Sequence, residues 1–218
     1  IEPLNKTHIA IYKELALSVK NRTLITRVVD LKSGKTHLQN AKQGKALTIT
    51  EETMQHTYGP SFRLLLVGAV QVSYYLCEMA QALNYEVAIC DPRQELIESF
   101  PKQDVELSNA MPDDWLRSKN IDQQTAIVAL CHDPRIDDMA LMEALQLEAF
   151  YVGAMGSALT TEKRKNRLQI LNVPLHKIKK LHAPVGLNIG SKTPPEIALS
   201  ILSELTLLRA KADKINRD

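Results

Sequence analysis

Five short runs of this chain carry groups able to hold or transform a ligand. Gly68-Ala69-Val70-Gln71 ends the apolar run Arg63-Leu64-Leu65-Leu66-Val67 and opens a helical pattern. A dinucleotide-binding fold places Gly-x-Gly-x-x-Gly there: the first glycine makes the tight turn, and the second lets a pyrophosphate come against the backbone at the positive end of the helix. Val70 stands at the second glycine. Its branched side chain pushes a diphosphate away, so an NAD-dependent enzyme is not the default reading. Asp91 follows the next extended run, 23 positions after Gly68, where such folds keep the carboxylate that accepts ribose hydroxyls. Asp91-Pro92-Arg93 is equally a turn opener, and Arg93 either holds a phosphate or pairs with a neighbouring carboxylate.

Cys131-His132-Asp133 brings together a thiol, an imidazole and a carboxylate, the makings of a nucleophile, a base and an orienting group. Adjacent side chains on an extended segment point to opposite faces, so Cys131 and His132 are not expected to pair. They are read instead as a polar cleft edge, with His132 or Asp133 bonding a polar ring, or with Asp133 only capping the next helix. Gly153-Ala154-Met155-Gly156-Ser157 leads into a basic helix. The glycines permit close backbone approach, Ser157 or Thr160 caps, and Lys163, Arg164 and Arg167 stand one to two turns in, a setting for phosphate. His182 to Thr193 is a long connection with many apolar side chains, expected to fold over the cleft. Gly186 lies inside it, and Lys192 near its end meets an anion or stays solvated.

These runs need a scaffold that gathers them. Val72, Leu76, Met79, Ala80 and Leu83 recur at helical spacing after the first apolar run, and Glu86-Val87-Ala88-Ile89-Cys90 is extended again, one βαβ unit. Val105 to Leu107, Thr125 to Leu130 and Ala149 to Gly153 read as further strands, with a helix marked by Met139, Leu141, Met142 and Leu145. Near-continuous apolar strands alternating with helices imply a parallel sheet covered on both faces, and ligands on such sheets bind beside the carboxyl ends of the strands. The expected fold is α/β, a Rossmann-like doubly wound parallel sheet over residues 61–218, with a small α+β appendage over residues 1–60. In the appendage a helix (Ile9, Tyr12, Leu15, Val19) and a hairpin around Lys32-Ser33-Gly34-Lys35 are expected, and Tyr58-Gly59-Pro60 is the linker candidate. Thr193-Pro194-Pro195-Glu196 is a capping box for the last helix. The apolar face of that helix (Ile197, Ile201, Leu202, Leu205, Leu208) packs on the sheet or makes a homodimer contact.

The net charge of +2 hides an acidic stretch from Glu86 to Asp114 and a basic one from Lys163 to Lys180. Such blocks are either solvated helix faces or a site for an anionic ligand. The basic stretch has no interleaved aromatics, so nucleic acid is not indicated. No apolar run approaches the ~20 residues that span a bilayer. Three cysteines without Cys-x-x-Cys spacing fit a reducing cytoplasm rather than a disulfide framework or a zinc site. The chain starts at Ile1, which processing or an incomplete sequence would each explain.

Taken in order, these motifs resemble the xanthine dehydrogenase accessory family, the XdhC/CoxI maturation factors, over roughly Phe62 to Arg209. The likeness rests on the Gly68-Ala69 entry, Asp91-Pro92-Arg93, His132-Asp133, Tyr151-Val152-Gly153 with Gly156-Ser157, and His182-Ala183-Pro184-Val185-Gly186-Leu187 through Gly190 to Thr193-Pro194 and Glu196-Ile197-Ala198. It implies a cytoplasmic protein, an accessory factor rather than an enzyme, that binds molybdenum cofactor and protects it during sulfuration. Handover to a molybdenum hydroxylase apoenzyme follows, and a cysteine desulfurase is a further partner. The expected cofactor-binding set is Gly68, Ala69, Val70, Gln71, Asp91, Arg93, His132, Asp133, Gly153, Gly156, Ser157, Lys163, Arg164, His182, Gly186 and Lys192, with no catalytic residue and no metal ligand assigned. Family members usually carry Gly-Ala-Gly-His-Val at Gly68-Ala69-Val70-Gln71-Val72 and Thr or Ser at Cys131. Their glycine-rich, cysteine-containing N-terminal segment has no counterpart among residues 1–60. The alternatives are an NAD(P)-binding oxidoreductase, favoured by Asp91 and opposed by Val70, and a non-catalytic nucleotide-binding scaffold.

Overall fold

The computed structural model describes residues 6–41, 47–101 and 104–215. They fall into two compact units, one built from the residues up to Ser61 with those from Arg209 onward, the other running Phe62–Leu208. In the first, α1 (Lys6–Lys20) accompanies β1 (Ile25–Asp30), β2 (Thr36–Asn40), β3 (Thr48–Ile49) and β4 (Thr53–Tyr58), an antiparallel sheet in the order β2-β1-β4-β3. The β1–β2 hairpin closes where Asp30 Oδ1 accepts from the Lys32 and Ser33 amides and Gly34 takes a φ of 72°. Sequence reading missed β4. All six of its residues are half-buried, so no apolar alternation announces it, yet it pairs with β1 along its whole length. Ala46, read with the apolar Leu47 to Ile49, lies outside the described residues.

The second unit alternates β5 (Arg63–Val67), α2 (Gln71–Ala82), β6 (Glu86–Cys90), α3 (Gln94–Ser99), β7 (Glu106–Ser108), α4 (Pro112–Ser118) and β8 (Thr125–Ala129). It continues with α5 (Pro134–Ala144), β9 (Tyr151–Ala154), α6 (Ala158–Ile170), α7 (Leu175–Ile178), β10 (Leu181–His182) and α8 (Pro194–Ile215), of which the residues up to Leu208 belong to this unit. Every strand pairing is parallel, and the order is β10-β9-β8-β5-β6-β7. This is the Rossmann-like sheet expected, with the order reversing at β5. The short α3, α4, α7 and β10 escaped the sequence reading because two to seven residues cannot display a hydrophobic period.

Side-chain alternation sorts the strands into two cores. Leu64, Leu66, Ile89, Ala126 and Val128 face one layer with Leu76, Ala80, Ile201 and Leu205, while Leu65, Val67, Ala88, Ile127 and Ala129 face the other with Leu141 and Leu168. Most of these are fully buried, and each large one removed from water contributes about 1.5–3 kcal/mol. Ile201, Leu202 and Leu205 of α8 lie inside the first core with Ile197 and Leu208 packed against it. That face therefore covers the sheet and is not open to a second copy. Glu196 Oε2 accepts from the Lys192 and Thr193 amides at 2.8 Å, holding the helix start. No helix among the described residues is long and apolar enough to cross a membrane.

Candidate functional site

The loop after β5 turns at Gly68, with a φ of 121°. Its backbone presses on the end of β8, where an added Cβ would meet Cys131 N at 2.9 Å. Asp91, at the end of β6, fixes the next residue by accepting from Ala69 N at 2.9 Å. α2 then begins behind Val70, which sits at the N-cap in an extended conformation and provides no side-chain cap. The first amides of a helix have no acceptor within it, so this start carries uncompensated positive character.

The loop after β8 separates two neighbours. Cys131 is 4% exposed, its amide donates to Asp137 Oδ1 at 3.0 Å, and burial pushes its thiol well up, which removes it as a nucleophile. His132 takes a left-handed φ of 60° and emerges at the surface. After β9, Ser157 caps α6 by accepting from Thr160 N at 3.2 Å. A Cβ at Gly156 would lie 2.6 Å from Thr160 Oγ1, so the turn needs glycine.

These loops and the end of the 182–193 connection enclose a cavity of about 770 Å³, within the range of small-ligand sites. Val70, Gln71, His132, Gly156, Ser157, Lys163, Arg164 and Lys192 all line it, together with Met155, Thr160, Pro134 and Ile197. Half of the residues named from sequence thus meet at the carboxyl ends of β5, β8 and β9. Lys163 and Lys192 are exposed, and among the described residues neither is tied to a carboxylate. On the other side of Val70 and Gln71 lies a smaller hollow of about 300 Å³, walled by Ala69, Tyr74, Tyr75, Leu96 and Phe100.

The other half is used elsewhere. Asp91 is fully buried: Oδ1 accepts from Arg93 N and Nε, and Oδ2 from Ala69 N and Arg93 Nη2 at 2.7 Å. Burial alone would raise its pKa, but the Arg93 and Ala69 hydrogen bonds outweigh it and hold the carboxyl below its ordinary value. Both oxygens of Asp91 are thus engaged within the protein, and Arg93 pairs with that neighbouring carboxylate, one of the two roles read for it from sequence. Asp133 caps α5 and clasps Arg135, and the Arg135 hydrogen bonds hold it down at about 2. Arg164 reaches the cavity wall, but its guanidinium donates to Met155 O at 3.0 Å and to Asp137 Oδ2 at 2.9 Å. Its charge belongs to a buried ion pair rather than to a ligand.

Gly153 and Gly186 answer packing. A Cβ on Gly153 would meet Tyr151 and Val185 at 2.7 Å, and one on Gly186 would fall on the Ser200 hydroxyl. His182 stacks on Tyr151, with ring centroids 4.4 Å apart, and both bond Glu204: His182 Nδ1 lies 2.7 Å from Oε1, and the Tyr151 hydroxyl donates to Oε2 at 2.6 Å. The Gly186 amide donates to the same Oε2 at 2.8 Å. Glu204 thus ties β9, β10 and the loop to α8, a role invisible in sequence because its partners lie 18 to 53 positions away. A further cavity of about 650 Å³ lies among α4, α5 and α6, where Arg117, Arg135 and Arg167 are already held by Asp113, Asp133 and Asp138.

Residues 64–205 match the family model described as the XdhC Rossmann domain, in keeping with the strand order and the glycine turn. The chain belongs to the XdhC family. The likeness read from the order of its motifs is thereby established. This XdhC chain is 30% identical over 154 residues to a probable xanthine dehydrogenase subunit of Bacillus subtilis (strain 168), covering 70% of the chain and 44% of that protein. It is 28% identical over 152 residues to the molybdenum cofactor insertion chaperone PaoD of Escherichia coli (strain K12), covering 70% and 42%. The chain spans less than half the length of these curated relatives. A crystal structure of a xanthine dehydrogenase from Bacillus halodurans is similar with a TM-score of 0.72 at 23% identity, over 96% of this chain and 66% of that one, which supports the XdhC fold alone.

Proposed function

We propose that this XdhC-family chain is an accessory protein in the maturation of a molybdenum hydroxylase, holding molybdenum cofactor in the larger cavity and handing it to the apoenzyme. The cavity supports this reading: two lysines whose side chains form no ion pair among the described residues, the Ser157 hydroxyl and the starts of α2 and α6 line it beside an apolar wall of Met155 and Ile197. Cations and helix N-termini hold an anion, and the apolar wall shields a ring. The names of the relatives, one a molybdenum cofactor insertion chaperone and the other a component of xanthine dehydrogenase, supply the partner class. The residues fit a pterin phosphate, which Lys163, Lys192 and the α6 start would hold with the ring against Met155 and Ile197. Once bound, the group would bring its molybdenum centre for delivery. Cys131 offers it no thiolate, because burial pushes that thiol up. A cysteine desulfurase is the second partner proposed, acting on the cofactor before handover.

Purified protein mixed with molybdenum cofactor and gel-filtered should retain molybdenum, and the loaded protein should activate an apo-hydroxylase. No retention and no activation would overturn the proposal. The alternative, an NAD(P)-dependent oxidoreductase, is favoured by the strand order and opposed by Val70 and by the sealed Asp91. Saturable quenching of protein fluorescence by micromolar NADPH would revive it.

A further inference from the structure

Val70 and Gln71 line two hollows at once, the larger toward β8, β9 and α6 and the smaller toward α3. On a doubly wound sheet a dinucleotide lies across the strand ends, with one nucleoside on each side of the first loop and the pyrophosphate over the glycine turn. Both halves of such a site survive in this chain, but the crossing between them does not. The crossing point is a branched side chain at an extended N-cap, where the diphosphate would need bare backbone. Independently, the carboxylate that would take ribose hydroxyls in the smaller half is fully buried, with both oxygens occupied by Arg93 and Ala69. The smaller half is walled mainly by Tyr74, Tyr75, Leu96 and Phe100, with Gln71 and Ser99 as polar members and no charged side chain in its lining. Both free lysines stand on the other side.

Taking the larger cavity as the ligand site, as the proposed function does, we infer that this chain selects heterocycles bearing a single phosphomonoester over ligands bridged by a pyrophosphate, and that Val70 is the residue that decides it. The phosphomonoester sits by Lys163, Lys192 and the α6 start, the ring lies on Met155 and Ile197, and nothing crosses Val70.

The test is calorimetric titration of the full chain with GMP, whose fused ring resembles a pterin, and with ADP-ribose, which carries the pyrophosphate bridge. The unaltered chain should bind GMP at least about tenfold more tightly than ADP-ribose. Val70→Gly should tighten ADP-ribose by about tenfold or more and shift the ratio of the two affinities toward ADP-ribose by about the same factor. Val70→Ile keeps the branch without adding a capping hydroxyl and should keep the preference for GMP, which separates loss of bulk from loss of fold. Equal affinity for the two ligands, an unchanged ratio in Val70→Gly, or no GMP binding at millimolar concentration overturns the inference. Molybdenum retention is read separately: if it fails while the GMP to ADP-ribose ratio holds, the maturation role falls and the selectivity stands.

Discussion

Asp137 is fully buried and Glu204 partly buried, their carboxyls shift in opposite directions, and the difference lies in their donors. Burial raises both. For Glu204 the hydrogen bonds from His182, Tyr151 and Gly186 outweigh burial and hold the carboxyl below its ordinary value. A folded-state pKa below the unfolded one, near 4.3, means that the contribution is complete above that pH and is lost as pH falls through the lower folded value. Glu204→Gln should therefore cost about 1–3 kcal/mol in urea unfolding at pH 7, with the gap from wild type closing below about pH 4. An equal gap at both pH values would show that charge plays no part in this clasp. Lys163 and Lys192 make the complementary case at the surface. Replacing both with alanine should weaken GMP binding by about tenfold or more, leave thermal stability nearly unchanged, and flatten the salt dependence of binding.

At the scale of elements, α5 and α6 are joined by Arg164 to Asp137 and by Arg167 to Asp138. Burial pushes the Asp137 carboxyl up to about 6, against the pull of Arg164 and the Cys131 amide. With its folded value above the unfolded one, its stabilising contribution is complete below about pH 4 and is lost as pH rises through about 6. Arg164→Met leaves that carboxylate buried without its cation and should cost about 3–5 kcal/mol at pH 7. The cost should shrink at pH 5, where the carboxyl takes up a proton, and urea unfolding at the two pH values reads the difference. Such a variant should also loosen the start of α6, and with it the Ser157 end of the cavity. Ser157→Ala, by contrast, removes a cap and no buried ion pair and should cost about 1 kcal/mol of stability. This pairing was not legible beforehand. Basic residues on α6 stood out as a block, but which of them meets a carboxylate 27 positions away depends on how two helices pack over one sheet.

For the whole molecule, we propose that the two compact units unfold as separate steps. Calorimetry should show two transitions, with Val28→Ala lowering one and Arg164→Met the other; a single transition moved by both variants would rule this out. The larger unit was legible in advance because its strands are continuous apolar runs and its helices are long enough to show their period. The antiparallel sheet of the smaller unit was only half legible, since β4 is half-buried on every residue and carries no alternation.

Local chemistry therefore settled what depends on neighbours in the chain: the Gly68 turn, the crowding at Val70, the capping box at Thr193 and Glu196, and the order of the parallel strands' motifs. Those features rest on backbone sterics and short hydrogen bonds, which residue type alone dictates. Tertiary structure decided which candidates line the larger cavity. Asp91, Arg93, Asp133 and Arg164 carry the right charges in the right runs, yet each is paired with a partner, whereas Lys163 and Lys192 line the cavity with no ion pair among the described residues. A charged group binds a ligand only where folding has not already satisfied it, and that depends on residues brought close in space rather than in sequence.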